Sequence, residues 1–240
     1  VRTRSAVVSA ASFEWGETRA RAKRHKRFLV GARRDNHSFT REFEVKRSQY
    51  DGHARQALRS SAELLRMTAE ASAEWAAEAA HQIVKRLEKG AKVICCGNGG
   101  SAADAQHVAA ELSGKFYLVR RPLPAVAITT NPSALTAISN DYGYDSVFAK
   151  QIEGLGRRGD VLLAFSTSGR SPNVLKAVST ARKMGMFTVG FTGAKGAAFA
   201  RKCHMCLVVQ SDDCPRIQEA HIAVGHSICF LVEKAMFGGK

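Results

Sequence analysis

Five short apolar runs constrain this 240-residue chain more than any other feature: Val93–Cys96, Ala125–Ile128, Val161–Phe165, Phe187–Phe191 and Met205–Val209. Each is short enough to be a strand buried on both faces. Helical patterns lie between several of them, over Ala102–Leu112, Pro172–Met184 and a short Ala197–Arg201 piece, and a last one over Pro215–Phe237 closes the chain. Strands alternating with helices imply a parallel sheet with right-handed crossovers and helices on both faces. The expected fold is therefore α/β, a doubly wound parallel sheet of about five strands. In such open sheets, ligands sit beyond the carboxyl ends of the strands.

Ahead of the first strand, Leu58, Leu65, Trp75, Ala79, Ile83 and Leu87 recur at helical spacing, with Arg, Glu and Lys between them. This reads as one long amphipathic helix or two in tandem, starting near Asp51 and stopped by Gly90. So much alanine suggests close packing, including against another subunit. Residues 1–50 show no sustained period and hold 13 Lys/Arg against 5 Asp/Glu, more than half of the chain's net charge of +15. They are expected to be a basic, disordered extension, and residues 51–240 the folded domain. The overall charge is then a poor argument that the folded part binds nucleic acid, and the extension carries no known binding motif. Ala6–Ser12 is too short and too weakly apolar for a secretory signal, and no apolar run approaches the roughly 20 residues of a bilayer span. The expectation is a cytoplasmic protein with no membrane partner.

Cys95 and Cys96 are adjacent in the first apolar run, so they point to opposite faces of a strand, as small buried hydrophobes. Cys203-His204-Met205-Cys206 has zinc-ligand spacing, but no second CxxC pair accompanies it. It reads as a strand edge.

Two turns carry more chemistry. The first, Cys96-Gly97-Asn98-Gly99-Gly100-Ser101, runs from strand to helix, and Ser101 with Asp104 reads as a variant of the capping box. It lacks the P-loop lysine and the full GxGxxG spacing, which argues against ATP and dinucleotides. The second, Phe165-Ser166-Thr167-Ser168-Gly169-Arg170-Ser171-Pro172, places Pro172 at the first helical position behind Ser171 as N-cap. Its four hydroxyls and the free helix N–H groups form a compact site for an anion, best read as phosphate. Further on, His107 and Glu111 are four apart and share a helix face. Gln218 and His226, eight apart on the closing helix, can also face one way. Together they offer a zinc set or an acid–base set.

These motifs resemble a known family. The Ser-Thr-Ser-Gly-x-Ser turn is similar to the phosphate loop of the SIS (sugar isomerase) domain. GNGGSAADAQHVAAEL over Gly97–Leu112 and RIQEAHIAVGH over Arg216–His226 resemble the first and last active-site segments of the sedoheptulose 7-phosphate (phosphoheptose) isomerases. The resemblance runs from about residue 51 to the C-terminus. It implies a SIS-type fold with an N-terminal helical segment and isomerisation of sedoheptulose 7-phosphate to D-glycero-D-manno-heptose 7-phosphate. It also implies one Zn2+ per subunit on His107, Glu111, Gln218 and His226, with Glu111 and His226 as base and acid. Substrate contacts would fall on Asn98, Gly99, Gly100, Glu111, Asn140, Asp141, Ser166, Thr167, Ser168, Ser171 and Gln218. The implied assembly is a homotetramer with the active site between subunits. Asp141 lies in Ser139–Tyr144, expected to be a loop after the second strand. Cys214 stands where Ser or Thr is common before Pro215, a weaker N-cap for the last helix. The rival is a non-catalytic SIS-domain regulator, such as the DnaA initiator-associating protein, which would not require Glu111, Gln218 and His226.

Overall fold

The computed structural model describes residues 47–238. The basic extension expected over 1–50 therefore lies outside the described residues, except that Arg47–Tyr50 form the first turn of a helix. That helix, α1 (Arg47–Leu87), is single and continuous, which settles the choice between one helix and two. At about 1.5 Å per residue it is roughly 60 Å long. Over residues 50–87, burial begins at Leu64, so residues 50–63 carry no core residue.

Five strands follow: β1 (Val93–Gly97), β2 (Ala125–Ala127), β3 (Val161–Phe165), β4 (Phe187–Gly193) and β5 (Met205–Val209). All pairings are parallel, in the order β2-β1-β3-β4-β5. The intervening helices are α2 (Gly100–Ser113), α3 (Pro132–Tyr142), α4 (Val147–Leu155), α5 (Pro172–Lys183), α6 (Ala197–Ala200) and α7 (Cys214–Phe237). Alternate strand residues divide the core in two. Cys95, Leu163, Phe165, Phe191 and Leu207 pack under α1, α2 and α7. Ile94, Cys96, Leu162 and Ala164 pack on the opposite face against α4, α5 and α6. Cys95 and Cys96 do point to opposite faces, and all six cysteines are free.

Two helices, α3 and α4, escape the sequence reading. No residue of α3 is buried, so no apolar stripe marks it. Its start signal is instead chemical: Asn131 accepts a hydrogen bond from the Ala134 N–H at 3.0 Å, and Pro132 follows. Asn140 and Asp141, expected in a loop, form its last turn. The Cys203–Cys206 segment is a strand edge. The Nδ1 of His204 accepts from the Thr188 N–H at 3.0 Å, and the His204 backbone N–H donates to Thr188 Oγ1 at 3.0 Å. By length and a mean hydropathy of 1.2, α7 would suffice to cross a bilayer. Here it packs along α1 and α2, burying Ile217, Ala220, Val224, Ile228 and Val232.

Candidate active site

The sheet order reverses between β1 and β3, and in doubly wound folds the crevice above that point receives the ligand. Both motif turns sit there. Asn98, after β1, and Asn173, in the first turn of α5, exchange amide hydrogen bonds of 2.9 and 2.8 Å. The Tyr144 hydroxyl reaches Asn98 Oδ1 at 3.3 Å. Asn173 and Tyr144 were not legible as site residues, because an amide pair and a solvent-facing Tyr leave no periodic signal.

In the second turn, Ser166 Oγ lies 3.1 Å from Ser171 Oγ. Ser171 is the N-cap residue of α5, as expected, but its hydroxyl turns to Ser166 and does not cap the helix. Pro172 has no N–H and the Val174 N–H donates to Asn173 Oδ1 at 3.0 Å, so the anion-facing donors of this turn are chiefly its hydroxyls and the Asn173 N–H. Ser168 Oγ accepts from the Arg170 N–H at 3.2 Å, and Thr167 Oγ1 lies 3.3 Å from Cys214 Sγ at the start of α7. Gly169 has φ +62, and a side chain there would fall 2.6 Å from the Gly196 Cα. Only glycine allows this close turn. Two expected caps are corrected. The N-cap of α2 is Gly99, so Ser101 and Asp104 form no capping box; both are buried inside the helix. The N-cap of α7 is Asp213, not Cys214, which is already helical.

The second cluster lies further along α2. His107 Nε2 is 3.1 Å from Glu111 Oε1 and 2.9 Å from His226 Nε2 on α7. The helices approach closely because Gly225 lies against Val108; a Cβ at Gly225 would fall 2.9 Å from Val108 Cγ2. Single ligand atoms of His107, Glu111 and His226 all lie within 4.8 Å of one another. Two imidazole nitrogens and a carboxylate oxygen are zinc donors, and three protein ligands are the usual number at a catalytic zinc. The residues fit that ion. A cleft of about 260 Å³, lined by Phe116, Tyr117, His226, Ser227 and Phe230, opens beside them.

Gln218, the fourth expected ligand, is placed elsewhere. Its amide lies against Gly100, at the glycine turn. Along α7 it is about 12 Å from His226. Asn98, Gly99, Gly100, Ser166, Thr167, Ser168, Ser171 and Gln218 thus belong to the two turns and their neighbour on α7. Asn140 and Asp141 are exposed at the end of α3, where Asn140 Nδ2 donates to Asp141 Oδ1 at 2.9 Å. Beneath the second turn, His221 of α7 is fully buried, its ring 6.2 Å from that of Phe165 and 5.8 Å from that of Phe191. Burial pushes its pKa down to about 4, so the imidazole is neutral.

A family model for the SIS domain matches residues 58–193. The chain is 55% identical over 160 residues to a phosphoheptose isomerase of Rhodospirillum rubrum, covering 67% of this chain and 85% of that protein. It is 49% identical over 180 residues to one from a Roseiflexus species, covering 75% and 91%. Among solved structures, phosphoheptose isomerase from Neisseria gonorrhoeae matches with a TM-score of 0.73 at 40% identity, over 77% of this chain and 99% of that one. The Francisella tularensis protein of that name matches with a TM-score of 0.74 at 37% identity, over 77% and 98%. With its parallel five-stranded sheet and its paired motif turns, the chain belongs to the SIS-domain phosphoheptose isomerase family, and it is an isomerase.

Proposed function

We propose that the chain converts sedoheptulose 7-phosphate to D-glycero-D-manno-heptose 7-phosphate, with Glu111 as base and His226 as acid. The observation that carries this reading is the convergence of Glu111, His107 and His226 from two helices, with one ligand atom from each within 4.8 Å of the others. The Glu111 carboxylate takes a proton from C1 of the ketose and returns it to C2. The His226 imidazole gives a proton to O2 and accepts one from O1, so the carbonyl moves from C2 to C1. A positioned acid or base of this kind contributes about 10²–10⁴-fold. The hydroxyls of Ser166, Thr167, Ser168 and Ser171, with the N-terminus of α5, would hold the phosphate. That remote grip orients the reacting carbons. Asn98, Gln218 and Asp141 are assigned to the sugar hydroxyls.

His107, Glu111 and His226 would hold a zinc ion, and when bound it supplies polarisation of the sugar carbonyl. Gln218, beside Gly100, is assigned to substrate in the single chain.

The two halves of the site lie toward opposite ends of α2, with Gly100 and Glu111 about 16 Å apart along the helix axis. This supports a homotetramer in which the hydroxyl loop of one copy faces the acid–base pair of another. An apolar groove of about 450 Å³ between α1 and α7, lined by Leu65, Ala69, Ala73, Ala76, Ala223 and Leu231, supports the same assembly. The six free thiols fit a reducing compartment such as the cytoplasm.

The direct test is to incubate the purified protein with sedoheptulose 7-phosphate, with and without a chelator, and to follow the aldose product. Aldose should form, and the chelator should slow it. Absence of aldose from untreated, folded protein would refute the substrate.

A further inference from the structure

The acid–base pair works only if α2 and α7 stay in register, and a buried ion pair lies where it can hold them. Glu233, about two turns beyond His226 on α7, is 1% exposed. Its carboxylate accepts hydrogen bonds from the backbone N–H groups of Phe116, Tyr117 and Leu118 at 3.1, 2.7 and 3.0 Å, and from Arg120 Nε at 2.9 Å. Arg120 donates in turn to the carbonyls of Glu111, Leu112 and Gly114 at 2.8, 2.9 and 2.9 Å. Carbonyls at a helix end lack partners within the helix, and a cation there complements the helix dipole. The loop strung between the two charges carries Phe116, whose ring is 5.7 Å from the His226 ring, and Tyr117, 5.8 Å from Phe230. One network therefore touches the Glu111 carbonyl at one end and the ring beside His226 at the other.

We propose that Arg120 and Glu233 are positioning residues of the isomerase: they lock the 114–120 loop between α2 and α7, and so fix the Glu111 carboxylate against the His226 imidazole. This rests on the reading of Glu111 and His226 as the acid–base pair. Arg is required at position 120 because its planar fork serves several carbonyls and a carboxylate at once, whereas Lys offers a single point charge. A buried ion pair is by itself weak evidence about stability. The argument lies in what this one holds in place.

A matched control exists off α2 and α7. Asp160, just before β3, accepts from the N–H groups of Lys92 and Arg157 at 2.9 and 2.8 Å and pairs with Lys92 Nζ. It is buried like Glu233, but its partners lie just ahead of β1 and β3 and it touches neither α2 nor α7. The experiment compares Glu233→Gln, Arg120→Lys and Asp160→Asn. Two readouts are taken: kcat and KM on sedoheptulose 7-phosphate, and the imidazole signals of His107 and His226 in histidine-labelled protein by NMR. Displacement of a reacting group by about 1 Å can cost up to about a hundredfold. The two clamp variants should lose about ten- to hundredfold in kcat with KM within about threefold, and both imidazole signals should move. Asp160→Asn should keep kcat within about twofold, and the signals should stay, at a comparable loss in Tm. Unmoved imidazole signals in both clamp variants would overturn the proposal, as would an equal loss of kcat in Asp160→Asn. If the signals move while the unmodified protein makes no aldose, the substrate reading fails and the positioning role stands.

Discussion

At the scale of single residues, two buried groups give opposite pH dependences. His221 is held neutral with a pKa near 4, against an ordinary value of 6.5. Its folded pKa is depressed, so its contribution to stability is complete above about pH 6.5 and is lost as pH falls through 4. That loss amounts to about 3 kcal/mol at most. Asp104, buried inside α2, is pushed up to about 6 by burial, with His107 pulling weakly the other way. Its contribution is present at low pH and lost as pH rises through about 6, so it partly masks His221. We predict that in urea unfolding His221→Leu gains on the unmodified protein by up to about 3 kcal/mol between pH 7 and pH 4. A gap that stays constant with pH would contradict the burial argument. Glu233 is different again. Burial works against its charge, but three amides and Arg120 outweigh it and hold its carboxyl below the usual value.

At the scale of elements, the close approach of α2 and α7 is the feature on which the cluster depends. Gly225→Ala would press a methyl group to 2.9 Å from Val108 Cγ2. Overpacking of this kind typically costs about 1–3 kcal/mol, and here it should also part His107 from His226. We predict a lower Tm and a lower kcat for Gly225→Ala, both recovered in part by adding Val108→Ala, which frees the space. Failure of the second substitution to recover either would contradict the steric account. This scale also marks what the sequence disclosed. All five strands were legible as unbroken apolar runs; β1, β3 and β4 are buried on both faces, and the edge strands β2 and β5 are only partly buried yet equally apolar in sequence. The helix α3 was not, because it buries no residue and announces itself only through Asn131 and Pro132. The pairing of His107 with Glu111 was legible from spacing alone, since four residues make one turn. The distance from α2 to α7 was not, because nothing local to Gly225 says which helix it will touch. Gln218 and His226 share a helical face, and within the single chain a little over two turns separate them along the axis.

At the scale of the whole molecule, the carboxyl ends of the strands carry the two motif turns, and the His107–Glu111–His226 cluster lies further back along α2 and α7. The glycine and serine turns, Tyr144 and the starts of α2, α5 and α7 gather at one end. Lys92 and Asp160 tie β1 to β3 at the other. The proposed tetramer rests on the long α1, which has no buried residue over 50–63, and on the apolar groove it makes with α7. The claim on which the account turns is that Glu111 moves the proton between C1 and C2. The measurement that meets it most directly is solvent-deuterium exchange into the bound sugar, in the unmodified protein and in Glu111→Gln, with sedoheptulose 7-phosphate binding followed by calorimetry. The unmodified protein should exchange deuterium at the reacting carbons. Glu111→Gln should bind the sugar phosphate within about threefold and exchange at least about a hundredfold more slowly. Exchange at the unmodified rate in Glu111→Gln would contradict the account.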